Sequence, residues 1–248
     1  MKIIFLILMF FFNYSLVSCD DKLYTKSLYS YIGYLTTPSA YINDGEISFH
    51  YTYIPFPIAF NSADLYKVNS DNWIFSSSLG MFPFLECYFS VFIEPQRNVS
   101  IGIPNFGANK FRSAGAKIKI YNESRTLPSI AIGLFDPNLK LFGSHYSANT
   151  VSSTFVLLSK RFFSGKSSLS IGYGTDILSG EYTRLNGLFS GASLYLGHNC
   201  FIMCDYDSKY WSQGVGIIWK RINFEGVLID FDNYAFRLGY DINMLTSP

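Results

Sequence analysis

Few residues in this chain have the types and spacing that chemistry requires. It holds three histidines, His50, His145 and His198, and four cysteines, Cys19, Cys87, Cys200 and Cys204. Ser144-His145 sets a hydroxyl beside an imidazole, the pair from which a hydrolase nucleophile is built. A triad is defined by geometry, however, and residues adjacent in sequence rarely supply it, so a polar loop ahead of a strand is the plainer reading. His198-x-Cys200-x-x-x-Cys204 carries metal-ligand types, but an extended strand rising ~3.3 Å per residue sets the two cysteines ~13 Å apart. That separation forbids a disulfide between them, while a bridge from Cys87 to either stays open. No fourth ligand is in view, so neither a metal nor a cofactor is expected. Gly172-Tyr-Gly174 lacks the strand-to-helix setting of a phosphate loop and reads as a strand with small residues at close approach. Four charged residues remain as candidates for contact with a polar ligand, provided they line a lumen: Lys117 and Lys119 on one face of one segment, Arg237 and Asp241 on one face of another. A plain solvated lumen is the alternative.

The elements that must position these residues are strands. From Glu46 onward about twelve segments alternate with period two and are separated by Gly, Asn, Asp, Ser or Pro. They run over 46–54, 73–82, 85–93, 112–121, 129–135, 151–162, 167–174, 186–196, 199–206, 211–220, 222–230 and 234–244. No segment sustains a helical period. The last one shows the pattern best, with Tyr234, Phe236, Leu238, Tyr240, Ile242 and Met244 on one face and Ala235, Arg237, Gly239, Asp241 and Asn243 on the other. In a soluble sandwich the apolar face lines a core, whereas in a membrane barrel it meets lipid. Most joins are short, as in one up-and-down sheet, and three longer connections are expected at 55–72, 94–111 and 136–150.

Composition favours lipid. The chain is 49% hydrophobic and 19% aromatic, with 24 Phe and 19 Tyr, yet only 15% charged. After the first twenty residues no stretch approaches the ~20 apolar residues of a spanning helix, so the apolar surplus needs another sink. A net charge of +1 gives no footprint for nucleic acid. Trp211 and Trp219 share a face ~26 Å apart along one strand, which at a tilt of ~40° is ~20 Å of height, close to the span between two aromatic girdles. Arg237-Leu-Gly239-Tyr-Asp-Ile242-Asn-Met244 resembles the C-terminal signal read by the barrel-assembly machinery, although the chain runs on to Pro248. Ahead of the strands, Lys2 and the apolar run Ile3 to Phe12 have the layout of a secretory signal, and Leu16-Val17-Ser18-Cys19 resembles a lipobox. The expected organisation is therefore a signal peptide over 1–18, an N-terminal segment over 19–45 beginning with a lipid anchor at Cys19, and a barrel over 46–248. The expected fold is all-β, an antiparallel up-and-down transmembrane (outer-membrane) β-barrel of about 12 strands, exported across the inner membrane of a Gram-negative-type bacterium. A barrel this narrow is expected to have an obstructed lumen, since wide channels come with ~16 strands or more.

Gly33-Tyr-Leu-Thr-Thr-Pro38-Ser-Ala40 followed by Asp44-Gly45-Glu-Ile-Ser-Phe49 resembles the start of the YjbH family of exopolysaccharide-associated outer-membrane lipoproteins. Leu127-Pro128-Ser-Ile-Ala131-Ile-Gly133-Leu-Phe-Asp136, Tyr146, Leu158-Ser159-Lys160-Arg161-Phe162 and Leu169-Ser-Ile-Gly172-Tyr-Gly174 resemble later stretches of it, in the same order. His145 stands where the family tends to an acidic residue. The resemblance implies that this chain corresponds to the N-terminal barrel of longer members. It further implies a non-catalytic outer-membrane lipoprotein assisting export or surface attachment of exopolysaccharide. The partners expected on this reading are outer-membrane lipids, polysaccharide, for which Lys117, Lys119, Arg237 and Asp241 would be the contacts in the lumen, and export-machinery proteins. Three rival readings stand beside it: a narrow channel for small solutes, a barrel hydrolase acting on lipid or glycan, and a soluble β-sandwich held by its lipid.

Overall fold

The computed structural model describes residues 25–29, 33–55, 71–97, 104–135, 153–175, 185–197 and 199–245. The expected signal peptide, Cys19, Ser144, His145 and His198 lie outside the described residues. Twelve strands follow one another: β1 (Glu46–Ile54), β2 (Asn72–Met81), β3 (Leu85–Arg97), β4 (Pro104–Tyr121), β5 (Ser129–Phe135), β6 (Ser153–Phe162), β7 (Ser167–Thr175), β8 (Gly187–Tyr195), β9 (Cys200–Tyr206), β10 (Trp211–Trp219), β11 (Ile222–Ile229) and β12 (Asn233–Asn243). Each pairs with its chain neighbours, and β1 pairs antiparallel with β12, closing the sheet into a barrel.

The period-two reading places every strand to within a few residues, except across the expected connection 94–111. There β3 continues to Arg97 and β4 begins at Pro104, with Gln96 opposite Asn105 and Arg97 opposite Pro104. Pro95, Gly102 and Pro104 look like a loop, but the register shifts between Glu94 and Gln96, and a bulge is where a ladder tolerates a proline without losing its pairing. Cys87 on β3 and Cys200 and Cys204 on β9 lie in opposite walls and are free thiols.

Burial runs opposite to that of a water-soluble protein. Phe49, Phe75, Ile118, Val156, Ile171, Leu188, Val215, Phe224 and Leu238 are exposed on the outer wall. Glu86, Lys117, Glu225 and Arg237 point inward and are buried. Strand alternation puts one set out and the other in, and a closed sheet with an oily outside and a polar inside belongs in a bilayer. Trp211 and Trp219 both face outward from the two ends of β10. Around them Tyr206 packs on Trp211 at 5.0 Å, Tyr53 stacks on Phe236 at 5.3 Å, and Phe82 stacks on Phe84 at 5.5 Å. Short turns over 82–84, 163–166 and 220–221 share one end of the barrel, and the longer connections after β1, β5 and β7 share the other.

An outer wall of this kind predicts that the folded chain stays in the membrane fraction through carbonate washing and migrates faster unheated than heated on SDS gels. A folded monomer in detergent-free buffer would show instead that the apolar face is covered by protein.

Candidate functional site

The lumen is occupied by the chain's own residues. Residues 25–29 and 33–42 lie inside the barrel, with Leu28, Tyr34, Leu35, Thr37 and Ala40 wholly inaccessible. It is folded on itself before it meets the wall. Leu28 N donates to the Leu35 carbonyl at 2.8 Å, Gly33 N to the Thr25 carbonyl at 3.0 Å, and Tyr34 N to the Thr37 carbonyl at 2.8 Å. Gly33 pairs with Pro38 across this turn. A Cβ at Gly33 would stand 2.2 Å from the Thr37 carbonyl oxygen, so only glycine lets the turn close. A tight turn leaves other backbone groups without partners, and inside a barrel the wall must supply them.

Asp205 of β9 supplies the largest share. Its carboxylate accepts from Thr36 N at 2.6 Å, from Thr37 N at 2.8 Å, and from the Thr36 and Thr37 hydroxyls at 3.1 Å each. Two successive backbone N–H groups converging on one carboxylate oxygen form a small nest. Beside it the Tyr34 hydroxyl bonds Ser170 at 2.8 Å and Ser168 at 3.0 Å. Burial pushes the Tyr34 phenol well above its usual range, so it stays a neutral hydroxyl able both to donate and to accept. The wall makes room for it, because a Cβ at Gly191 would stand 2.3 Å from the Tyr34 ring.

Three wall residues converge on Ser39 and Ala40 of the plug. Lys117 Nζ donates to the Ser39 carbonyl at 2.7 Å, Ala40 N donates to Ser159 Oγ at 2.7 Å, and Ser129 Oγ, which donates to the Tyr121 carbonyl at 2.9 Å, lies 3.5 Å from the Ala40 carbonyl. Below them, at the short-turn end, Tyr41 donates to Glu123 at 3.0 Å. Arg161 holds the same carboxylate at 3.1 Å and lies over the Tyr41 ring at 4.8 Å. Burial raises the Tyr41 phenol too, so it remains the donor in this contact. Lys160 ties down the intervening turn by donating to the carbonyls of Ser124 at 2.6 Å and Arg125 at 3.0 Å.

The four charged candidates all lie on inward-facing parity, but they form no single patch. Lys117 is paired with Glu86 at 2.7 Å as well as with the plug. Lys119, half-buried, follows on the same face of β4. Arg237 is forked onto Glu225 across the β11–β12 pairing, its Nε at 3.0 Å. Asp241 accepts from Asn223 at 2.6 Å and lies 3.7 Å from His50. β4 and β12 are separated around the barrel by β1, β2 and β3. Sequence reasoning passed over Asp205, Tyr34, Thr36 and Ser159. Two signals marked them: Asp205 is a charge on the same parity as Phe201 and Met203, and the Thr-Thr-Pro-Ser-Ala run precedes the first strand without belonging to any. Among the described residues no cluster of His, Cys, Asp or Glu could hold a metal ion.

Residues 25–243 match the YjbH family, described as exopolysaccharide biosynthesis protein YbjH, so the match spans the plug as well as all twelve strands. No curated protein matches the chain. Among solved structures it is similar to outer membrane phospholipase A from Escherichia coli, at 11% identity and a TM-score of 0.42, covering 83% of this chain and 95% of that one. It is also similar to a Salmonella typhi outer membrane phospholipase dimer with bound calcium, at 14% identity and a TM-score of 0.41, covering 78% and 88%.

Removing the carboxyl group leaves two buried N–H groups and two hydroxyls without their acceptor. Asp205→Leu is therefore expected to cost about 3 kcal/mol or more, read as a lower urea midpoint in detergent micelles. Gly191→Leu is expected to destabilise by driving into Tyr34, and Gly191→Leu with Tyr34→Ala to regain most of that loss. If the double variant is as weak as the two changes added together, Gly191 and Tyr34 are not in contact.

Proposed function

Because the chain belongs to the YjbH family of exopolysaccharide biosynthesis proteins, we propose that it is a lipid-anchored, non-catalytic outer-membrane barrel. On this reading it assists export or surface attachment of exopolysaccharide while its own lumen stays shut. The observation that carries this reading is the plug: a segment bonded to Asp205, Lys117, Ser159 and Ser170 occupies the space a translocating polymer would need. The glycan is then handled on the surface, at the loop end or through export-machinery proteins, and not inside a pore. Lys117 and Arg237, spent on Glu86 and Glu225, act as ties within the wall. The anchor at Cys19, a secretory leader over 1–18 and an address in a Gram-negative-type envelope complete the proposal.

Planar bilayers test the closed lumen. The intact chain is expected to show no steady conductance, and a variant lacking residues 25–42, taken only where it keeps its heat-modifiable fold, to conduct. An intact chain that conducts steadily would make it a solute channel. For the chemistry, Ser144→Ala and His145→Ala are expected to leave surface polysaccharide unchanged in producing cells, and loss of polysaccharide with either variant, at normal barrel levels, would point to a hydrolase.

A further inference from the structure

The outer wall is not bulky everywhere. Across β7 to β12 it sinks into a groove of about 1060 Å³ whose floor and rim include Leu169, Ala192, Cys204, Gln213, Gly226 and Tyr234. Strand pairing accounts for the line they make. Leu169 lies opposite Ala192, Ala192 opposite Cys204, Cys204 opposite Gln213, Gln213 opposite Leu228, and Leu228 opposite Tyr234. Where neighbouring strands turn Phe, Leu or Ile outward, this line turns out Ala192, Cys204 and, beside it, Gly226. A Cβ added at Gly226 would meet nothing within 4 Å. Six strands span five steps of ~4.8 Å, so the groove is ~24 Å long. Because strands tilt, it descends obliquely from the long-loop end at Tyr234 and Gln213 to the short-turn end at Leu169.

One polar side chain breaks this apolar line. The Gln213 side chain faces outward and makes no hydrogen bond to the described residues. It lies two positions from the girdle residue Trp211, ~7 Å along the strand, or ~5 Å below the girdle at a tilt of ~40°. That is the depth at which lipid acyl esters sit. An amide there can donate to an ester carbonyl, and below it an apolar channel of chain-like proportions runs into the hydrocarbon. Each leaflet's chains span ~15 Å, half of a ~30 Å core, so the groove has length to spare.

We propose that this groove is a seat for one two-chain acyl-ester lipid of the leaflet on the long-loop side, its chains lying to either side of Gln213, one over Ala192 and one over Gly226, and an ester carbonyl accepting from the Gln213 amide. The inference rests on the lipid-facing outer wall and is independent of how polysaccharide is handled. A second copy of this chain fits poorly, because two concave walls brought face to face leave a void between them. A slim, flexible chain fills a groove that another barrel bridges.

Native mass spectrometry of the full chain in mild detergent tests this, with palmitoyl-oleoyl phosphatidylethanolamine and its diether analogue, which lacks the ester carbonyls, as probes. One ester lipid is expected to remain per chain, preferred about fivefold over the diether lipid, the worth of one amide-to-carbonyl hydrogen bond. Gln213→Leu is expected to hold both lipids equally. Gly226→Phe fills the groove and is expected to retain neither, with Ala192→Phe as a second filling variant should the first lose its heat-modifiable fold. Equal retention of ester and diether lipid by the unaltered chain would overturn the seat. So would lipid retained by a folded groove-filled variant, or dimers free of lipid in place of lipid-bearing monomers.

Discussion

A barrel whose outer wall meets acyl chains must turn its polar residues inward, and those residues then need partners in a space with little room for water. The rest of the structure follows from this requirement. β-strands satisfy their backbones by closing β12 onto β1, but the inward side chains remain: serines on most strands, the acids Glu86, Asp205 and Glu225, and the bases Lys117 and Arg237. Two acids find bases directly across the adjacent strand, Glu86 with Lys117 and Glu225 with Arg237. Asp205 takes instead the backbone N–H groups of Thr36 and Thr37. The plug thus completes the wall's hydrogen bonding, and the wall completes the plug's, which neither could do alone at acceptable cost in a buried setting.

Side-chain size is the second half of the same arrangement. Twelve strands enclose too little space for both large inward residues and a peptide. The inner wall resolves this by region. Serines and Gly191 and Gly214 stand where the plug lies close, Gly214 leaving room for Leu35. Tyr88, Phe155, Phe189 and Phe201 fill space beside Gly115, Gly133, Gly172 and Gly216 on adjacent strands, which accept their rings. Small hydroxylated residues both save volume and offer a donor and an acceptor, so one residue type meets the steric and the polar demand together.

Most of the barrel was legible in the sequence because period-two alternation is a local property, visible within nine residues such as Glu46–Ile54 or seven such as Ser129–Phe135. The outward orientation of Trp211 and Trp219 followed from the same count. Two things were not legible. The extension of β3 and β4 past Glu94 depends on a bulge at Pro95, which only pairing with the partner strand reveals. The plug could not be read because its contacts lie far away in sequence: Thr36 meets Asp205 169 positions on, and Ala40 meets Ser159 119 positions on. The stretches that carried the family resemblance, Gly33 to Ala40, Leu127 to Ala131 and Leu158 to Phe162, looked unrelated along the chain. In the fold they meet at Ala40, whose N–H donates to Ser159 and whose carbonyl lies beside Ser129.

That meeting also constrains how the structure forms. The plug precedes β1, yet its anchors lie on β4, β6, β7 and β9, so it cannot dock until most of the wall exists. β1 follows the plug directly and must pair with β12 to close the sheet. Contacts of such sequence separation are costly to close before they are rewarded, which places plug docking and barrel closure late and together. Thr52 of β1 donates to the Leu28 carbonyl and Lys26 pairs with Glu46 at the foot of the same strand, so the strand that seals the barrel is itself bonded to the plug it seals in. Occlusion of the lumen is therefore built into closure of the sheet, and a form with an intact wall and an empty lumen would have to leave Asp205, Ser39 and Thr52 without the partners that closure brings them.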